Sequence, residues 1–365
     1  MLRLQSQIRG YAWGSREVIA RIQGRPTPSP GPEAELWVGA HPDNPSIVDG
    51  QPLDKLIAAA PAEYLGARAV SAFGPRLPYL MKLLAAERPL SVQVHPDARQ
   101  AAEGHAAEVA AGVVERSYAD PYHKPELLVA LGDFEAMCGF RDPAESASAL
   151  RGVDGLAPVV ELLEEGRLEA ALRTLLTMDT AKAVERVAQR DPLAARLARF
   201  YPGDVGVIVA LLLNHVRLRA GEAVWMPPRT PHSYVEGVGV EAMAASDNVL
   251  RGGLTPKRVD VPELMRVLSF EPSRPPVVAP VDVAPGVVTW AVPVPDFRLH
   301  RVAVSGSPTR LDLPGPRTVL CLAGTVTVTD AAGAVEIRAG ESAFGLADGG
   351  LLTFAGTGEA YVTSL

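Results

Sequence analysis

The sequence predicts a mainly β protein with a helical insertion and two jelly-roll barrels, and three observations carry that expectation. Short β-type runs punctuated by Pro and Gly fill both ends of the chain, a block rich in Ala, Leu, Glu and Arg separates them, and one hairpin signal occurs twice. The 365 residues suffice for two or three structural units around at least one sizeable core.

Residues 1–141 form the first β-rich block, read as sheet with irregular loops from runs such as SIVDG, RPLSVQVHP and PELLVALG. At Asp142-Pro143 the character changes to helical spacing, which continues through VVELLEEGRLEAALRTLL and AKAVERVAQRDPLAARLARF to about residue 200. Asp142 and Asp191 each precede a proline, the pattern of a capping carboxylate followed by a first helical residue that needs no N–H. VGVIVALLLNHVRL, residues 205–218, then reads as a buried strand. Residues 201–269 are expected to complete the first barrel and residues 270–365 to form a second. The hairpin signal is Leu218-Arg219-Ala220-Gly221-Glu222-Ala223, echoed by Ile337-Arg338-Ala339-Gly340-Glu341-Ser342. The first copy runs on to His232, whereas the second runs into a stretch without histidine, so chemistry is expected in the first barrel and a metal-free barrel at the C-terminal end.

Composition narrows the partners. A net charge of −7 and a pI near 5.6, with no basic cluster interleaved with aromatics, exclude a nucleic-acid surface and point to a small molecule. No apolar run approaches the roughly 20 residues that a membrane span requires. The N-terminal MLRLQSQIRGYAWG lacks an apolar segment followed by a small-residue cleavage site, so no secretory signal is read and a cytoplasmic location is expected. Cys138 and Cys321 lie in apolar runs and read as buried hydrophobes.

Four segments hold residues suited to chemistry. Strand alternation in Ser91-Val92-Gln93-Val94-His95 puts Gln93 and His95 on one face, although a solvent-facing polar pair has the same pattern. In Asp120-Pro121-Tyr122-His123-Lys124-Pro125-Glu126, Glu126 stands at the mouth of an apolar strand and calls for a cation, which a lysine or a metal would satisfy. A Pro-rich turn presents His232. Together Gln93, His95, Glu126 and His232 offer an amide oxygen, two imidazoles and a carboxylate, a donor set for a borderline metal with a water position left open. The fourth segment, Gly239 to Lys257, contains Glu241, Asp247 and Arg251, with Gly252 and Gly253 allowing close approach to a ligand; a plain surface loop reads equally well. His95, Glu126 and His232 alone also match a two-histidine, one-carboxylate iron site, so an oxygenase stays open, with Gln93 and the neighbouring lysines against it.

The stretches Tyr11-Ala12-Trp13-Gly14, Ala34-Glu35-Leu36-Trp37-Val38-Gly39-Ala40-His41-Pro42, QVHP at 93–96, HKPE at 123–126, TPHSY at 230–234 and SDNVLRGGLTPK at 246–257 resemble, in order and spacing, type I phosphomannose isomerases of the cupin superfamily. The resemblance implies cupin-type barrels and an aldose–ketose isomerase working on mannose 6-phosphate and fructose 6-phosphate. It also implies one Zn²⁺ per chain, held by Gln93, His95, Glu126 and His232, with Arg251 as the catalytic arginine. Lys124, His123, Asp247 and Glu241 are the further catalytic candidates; Ser91, Lys82, Lys257 and Trp13 are those for substrate. A monomer acting on a free sugar phosphate is expected. A non-catalytic sugar-phosphate-binding cupin is the competing reading, but it would be expected to lose a ligand or Arg251, and all are present.

Overall fold

The computed structural model describes residues 1–365 and contains two large antiparallel sheets, of eleven and nine strands, with a cluster of short helices beside the first. In spatial order the eleven-stranded sheet runs Val277–Val278, Ala223–Met226, Glu126–Ala130, His232–Ala244, Tyr79–Ala86, Glu35–Gly39 and Gln7–Arg9. Val92–Val94, Phe134–Phe140, Leu213–Leu218 and Leu250–Gly253 branch from it.

One strand joins the two parts. The first residues of His232–Ala244 pair with Gln93 and with Ala136–Cys138, and its last eight pair with Tyr79–Ala86. The register shifts between Tyr234 and Glu236, and Gly237 follows at φ 137°, where a Cβ would lie 2.5 Å from the Phe134 ring. A bulge and a bare glycine therefore let the strand turn and close the barrel.

Strand alternation sorts the faces. Glu241 lies opposite Lys82, and Lys82 opposite Trp37, so these side chains share the inner face. Alternate residues on the other face, including Leu36, Val38, Met81, Leu83, Leu127 and Val129, pack with Trp290, Leu299, Leu320 and Tyr361 of the nine-stranded sheet in one buried apolar cluster. The second sheet encloses its own core of valines, Cys321, Ile337 and Phe354.

The helical block is observed as Pro143–Leu150, Ala157–Glu164, Leu168–Thr177, Ala181–Ala188 and Pro192–Phe200, and its apolar faces form a third core. Asp142 accepts the Ala144 N–H at 2.8 Å and Asp191 that of Ala194 at 2.9 Å, so both expected caps are made. The repeated hairpin signal is also built alike in both places. Glu222 accepts the Arg219 N–H at 2.8 Å and Glu341 the Arg338 N–H at 3.0 Å, with Gly221 and Gly340 at φ 87° and 81°.

Three readings need correction. The stretch 205–218 is a strand only from Leu213; Gly206–Val209 is helical and Ala210–Leu212 a 3-10 turn, because a fully buried apolar run has no period to separate helix from strand. The block 1–141 contains the helices Leu53–Ala59, Pro61–Phe73 and Ala98–Ala110, the last opened by a reciprocal cap between Asp97 and Gln100. The unit boundaries at 1 and 270 also interlock: Leu2–Leu4 pairs with Ser342–Phe344 of the second sheet, and Val277–Val278 pairs with Ala223–Val224 of the first. No helix is long and apolar enough to cross a membrane.

Candidate metal centre

His95, Glu126 and His232 converge at the end of the first barrel, each at most 2% exposed. His95 follows the strand Val92–Val94, Glu126 opens the strand Glu126–Ala130 and His232 opens the long shared strand, so three separate backbones fix the three side chains. Gln93 lies directly opposite His232 on one side and Arg251 on the other, which places it on the face that carries the cluster.

The proton positions follow from the partners. His95 Nδ1 is 2.6 Å from the Asn248 carbonyl and His232 Nδ1 is 3.0 Å from the Thr230 carbonyl. A carbonyl can only accept, so Nδ1 carries the proton in both rings and Nε2 offers a lone pair. Both Nε2 atoms are buried without a hydrogen-bond partner. They face Glu126 at 3.4 Å to Oε1 and 3.3 Å to Oε2. Ligand atoms about 2.1 Å from a tetrahedral zinc stand roughly 3.4 Å apart, whereas hydrogen-bonded N and O atoms stand about 2.9 Å apart. Three electron-pair donors meeting at this spacing, out of water, fit a cation such as Zn²⁺. Burial pushes His95 down to about 4, which keeps its ring neutral for that role. Burial alone would raise Glu126, but the Lys124 ammonium beside it holds it well below the ordinary carboxylate range.

Charged groups line the barrel below. Lys124 Nζ is 3.3 Å from Glu126 Oε1. Lys82 Nζ lies between Glu241 Oε2 at 3.1 Å and Glu35 Oε1 at 3.4 Å. Burial works to lower the Lys82 ammonium, and the two carboxylates more than offset it, so its pKa is raised. Tyr234 donates its hydroxyl to Glu241 Oε1 at 2.5 Å, and Trp37 donates its indole N–H to Glu35 Oε2 at 2.8 Å. Burial and the neighbouring carboxylates raise Glu241 despite Lys82.

The matches to known proteins are extensive. A model of the phosphomannose isomerase type I catalytic domain matches residues 1–143. The chain is 36% identical to the mannose-6-phosphate isomerase of Escherichia coli, over 98% of each chain, and 32% identical to that of Bos taurus, over 92% of this chain and 91% of the other. The chain belongs to the phosphomannose isomerases of type I. Among solved structures, a mannose 6-phosphate isomerase bound with zinc and yttrium superposes with a TM-score of 0.91 at 35% identity, covering 100% of this chain and 99% of that one. The apo form from Salmonella typhimurium gives the same TM-score and identity, with 98% of that chain covered.

Within this phosphomannose isomerase fold the other residues singled out by their motifs separate into groups. Arg251 has no charged group near it; burial alone lowers its guanidinium, leaving it free to meet an anion. Asp247 stands beside His41, whose Nε2 is 3.4 Å from its Oδ2. His123 turns away from Glu126 and bonds Asp296 Oδ2 at 2.9 Å, across the seam to the second barrel. Ser91 and Trp13 are half-buried and Lys257 is exposed, and none is tied to the cluster by a hydrogen bond or ion pair. The second glycine after Arg251 serves packing: a Cβ on Gly253, at φ 133°, would come 2.4 Å from Gly206 Cα, so it admits the helix Gly206–Val209 rather than a ligand.

Sequence reasoning missed the supports. Asp120 accepts the Ser246 hydroxyl at 2.9 Å and the Asp247 N–H at 2.8 Å, while the Asn248 amide donates to the Asp120 and Tyr122 carbonyls at 2.8 and 2.7 Å. This lattice ties the 246–248 loop to the segment before Glu126 and sets the carbonyl that orients His95. Its polar residues were visible, but their partners lie more than 120 positions away.

Proposed function

We infer that this chain interconverts mannose 6-phosphate and fructose 6-phosphate with one bound Zn²⁺. The observation that carries the reading is the pair of buried imidazole Nε2 lone pairs aimed with Glu126 at one point, beside an arginine without a partner. Gln93, His95, Glu126 and His232 would hold the ion. When bound it supplies Lewis-acid stabilisation of negative charge on the sugar oxygens.

The rest of the reaction falls to the protein's own side chains. An aldose becomes a ketose when the C2–H bond breaks, its electron pair forms the C1–C2 double bond and the C1 carbonyl pair moves onto O1. A proton is then returned to C1, and the hydroxyl proton passes from O2 to O1. The base must be reachable and must titrate. Glu241 is engaged by Tyr234 and Lys82, and His123 by Asp296. Lys124 is buried against Glu126, and Asp247, at 36% side-chain exposure, is the candidate that a substrate can reach. Burial raises Asp247 even though His41 acts to lower it, making this half-exposed carboxylate a stronger base than an ordinary aspartate. Asp247 is assigned the carbon-to-carbon transfer and Lys124 the proton traffic at oxygen. Arg251 offsets charge on the enediolate, since a guanidinium stays protonated. With Lys82 occupied by two carboxylates, Ser91 and Lys257 are assigned the phosphate. The working form is a monomer in the cytoplasm acting on free sugar phosphate.

The test is a coupled assay of fructose 6-phosphate formation from mannose 6-phosphate. Turnover that stops with chelator and returns with Zn²⁺ is expected. Unchanged turnover in a protein shown by elemental analysis to be zinc-free would reject the metal role, and no turnover in the zinc-loaded protein would reject the isomerase reading.

A further inference from the structure

A second cluster of donors sits away from the ligands: His41, Asp43 and Asp247 bring one ring nitrogen and two carboxylates within 4.8 Å of one another. By residue type it resembles another cation site. The proton on His41 argues otherwise. Its Nδ1 is 3.3 Å from the Asp43 backbone nitrogen, an N–H that can only donate, so Nδ1 must accept and Nε2 must carry the hydrogen. That is the reverse of His95 and His232, whose Nδ1 atoms face carbonyls and whose Nε2 atoms are left with lone pairs. His41 Nε2 therefore offers a proton, and Asp247 Oδ2 lies 3.4 Å from it.

The ring is held rigidly for this. His41 is 4% exposed, and Trp37 meets it edge-on with centroids 5.1 Å apart and planes at 82°. Its own carbonyl closes a turn by accepting the Asn44 N–H at 3.0 Å. The charged groups that act on it are Asp247, Asp43, Lys82 and Lys124, and burial outweighs the two carboxylates to keep the ring below its ordinary pKa and neutral. Asp247 is pinned from behind as well, because its backbone N–H donates to Asp120 Oδ2.

We propose that His41 is a positioning residue for the isomerisation, donating its Nε2 proton to Asp247 and holding that carboxylate at the angle from which it reaches the sugar carbons. The inference rests on the assignment of Asp247 as the transferring base. His41 itself neither gives up nor gains a proton in the reaction; it keeps Asp247 from rotating toward Lys124 or solvent.

The experiment uses the zinc-loaded enzyme. His41→Phe and His41→Met remove the donor while filling space beside Trp37, and His41→Gln restores an amide N–H near the position of Nε2. Each donor-free variant is expected to lose about tenfold to a hundredfold in kcat with KM within about twofold and zinc at one per chain, the scale of a misaimed reacting group. His41→Gln should recover most of that loss. Asp247→Asn should be slow, and adding His41→Phe to it should cost nothing further. Wild-type kcat in either donor-free variant overturns the proposal while a slow Asp247→Asn leaves the base assignment standing. Wild-type kcat in Asp247→Asn removes the base assignment and this inference with it. A second zinc per wild-type chain that His41→Phe releases would make the cluster a metal site instead, and failure of both donor-free variants to fold would reduce His41 to a structural role.

Discussion

The two barrels share a hairpin and differ in what they enclose. Each has the Gly–Glu turn in which a carboxylate closes back on the N–H three residues earlier. Beyond the turn, the first barrel surrounds Glu35, Lys82, Lys124, Glu126, Glu241 and two histidines, all buried. The second surrounds Val302, Val304, Val319, Val326, Val328 and Phe354, with Arg317, Asp330 and the N-terminal ammonium as a buried ionic group and Asp296 buried at the seam. A jelly roll tolerates either filling. The apolar one contributes burial energy, and the polar one is held together by ion pairs, Lys82 with Glu35 and Glu241 and Lys124 with Glu126. The second barrel is not idle, since its Asp296 holds His123 at the base of the segment that carries Lys124 and Glu126.

The largest expected effect is loss of a ligand. His95→Ala or His232→Ala should abolish zinc retention by elemental analysis and lower turnover by about a thousandfold, the upper range for removing one group that offsets developing charge. Full zinc retention in either would move the centre elsewhere. Next comes Arg251→Ala, expected to lower kcat by about a hundredfold with zinc content and melting temperature unchanged, because the side chain has no partner to lose. A rise in KM at constant kcat would make it a phosphate anchor.

In the second barrel the expected losses are of stability. Phe354→Ala, at a fully buried position, should cost about 3–5 kcal/mol in denaturant unfolding while kcat per folded molecule holds. A collapse of kcat in the folded fraction would erase the functional distinction between the barrels. The smallest effect concerns His300, whose Nδ1 is buried without a partner and whose pKa is lowered to about 4, by burial first and Arg298 second. A histidine with a depressed folded value stabilises above its unfolded pKa near 6.5, and that contribution is lost as pH falls through about 4. Unfolding curves at pH 7 and pH 4 should therefore differ less in His300→Leu than in the wild type, by up to about 3 kcal/mol.

What the sequence disclosed depended on how local each device is. Gln93 and His95 sit two apart on one strand, Glu126 begins an apolar run and His232 follows a Pro-rich turn, so these donors could be named from local pattern, and the resemblance joined them into one metal set. The caps at Asp142 and Asp191 were legible for the same reason. His41, Asp120, Asn248 and Asp296 were not, since each works through a partner in a distant segment, as in the 173 positions between His123 and Asp296. The helix at Gly206–Val209 was misread because an apolar sequence on all sides looks the same in a strand.

The pairing of Leu2–Leu4 with Ser342–Phe344 has a consequence for synthesis. A ribosome emits Leu2–Leu4 about 340 residues before its partner strand, and until that strand emerges this piece of sheet has nothing to pair with. Gln7–Arg9, a few residues on, already belongs to the first barrel. The early segment thus waits at the rim of one barrel for the other to be made, and its closure across more than 300 residues is among the slowest contacts the chain must find. Native assembly of the two barrels is in this sense completed late, by a strand made roughly 340 residues before its partner.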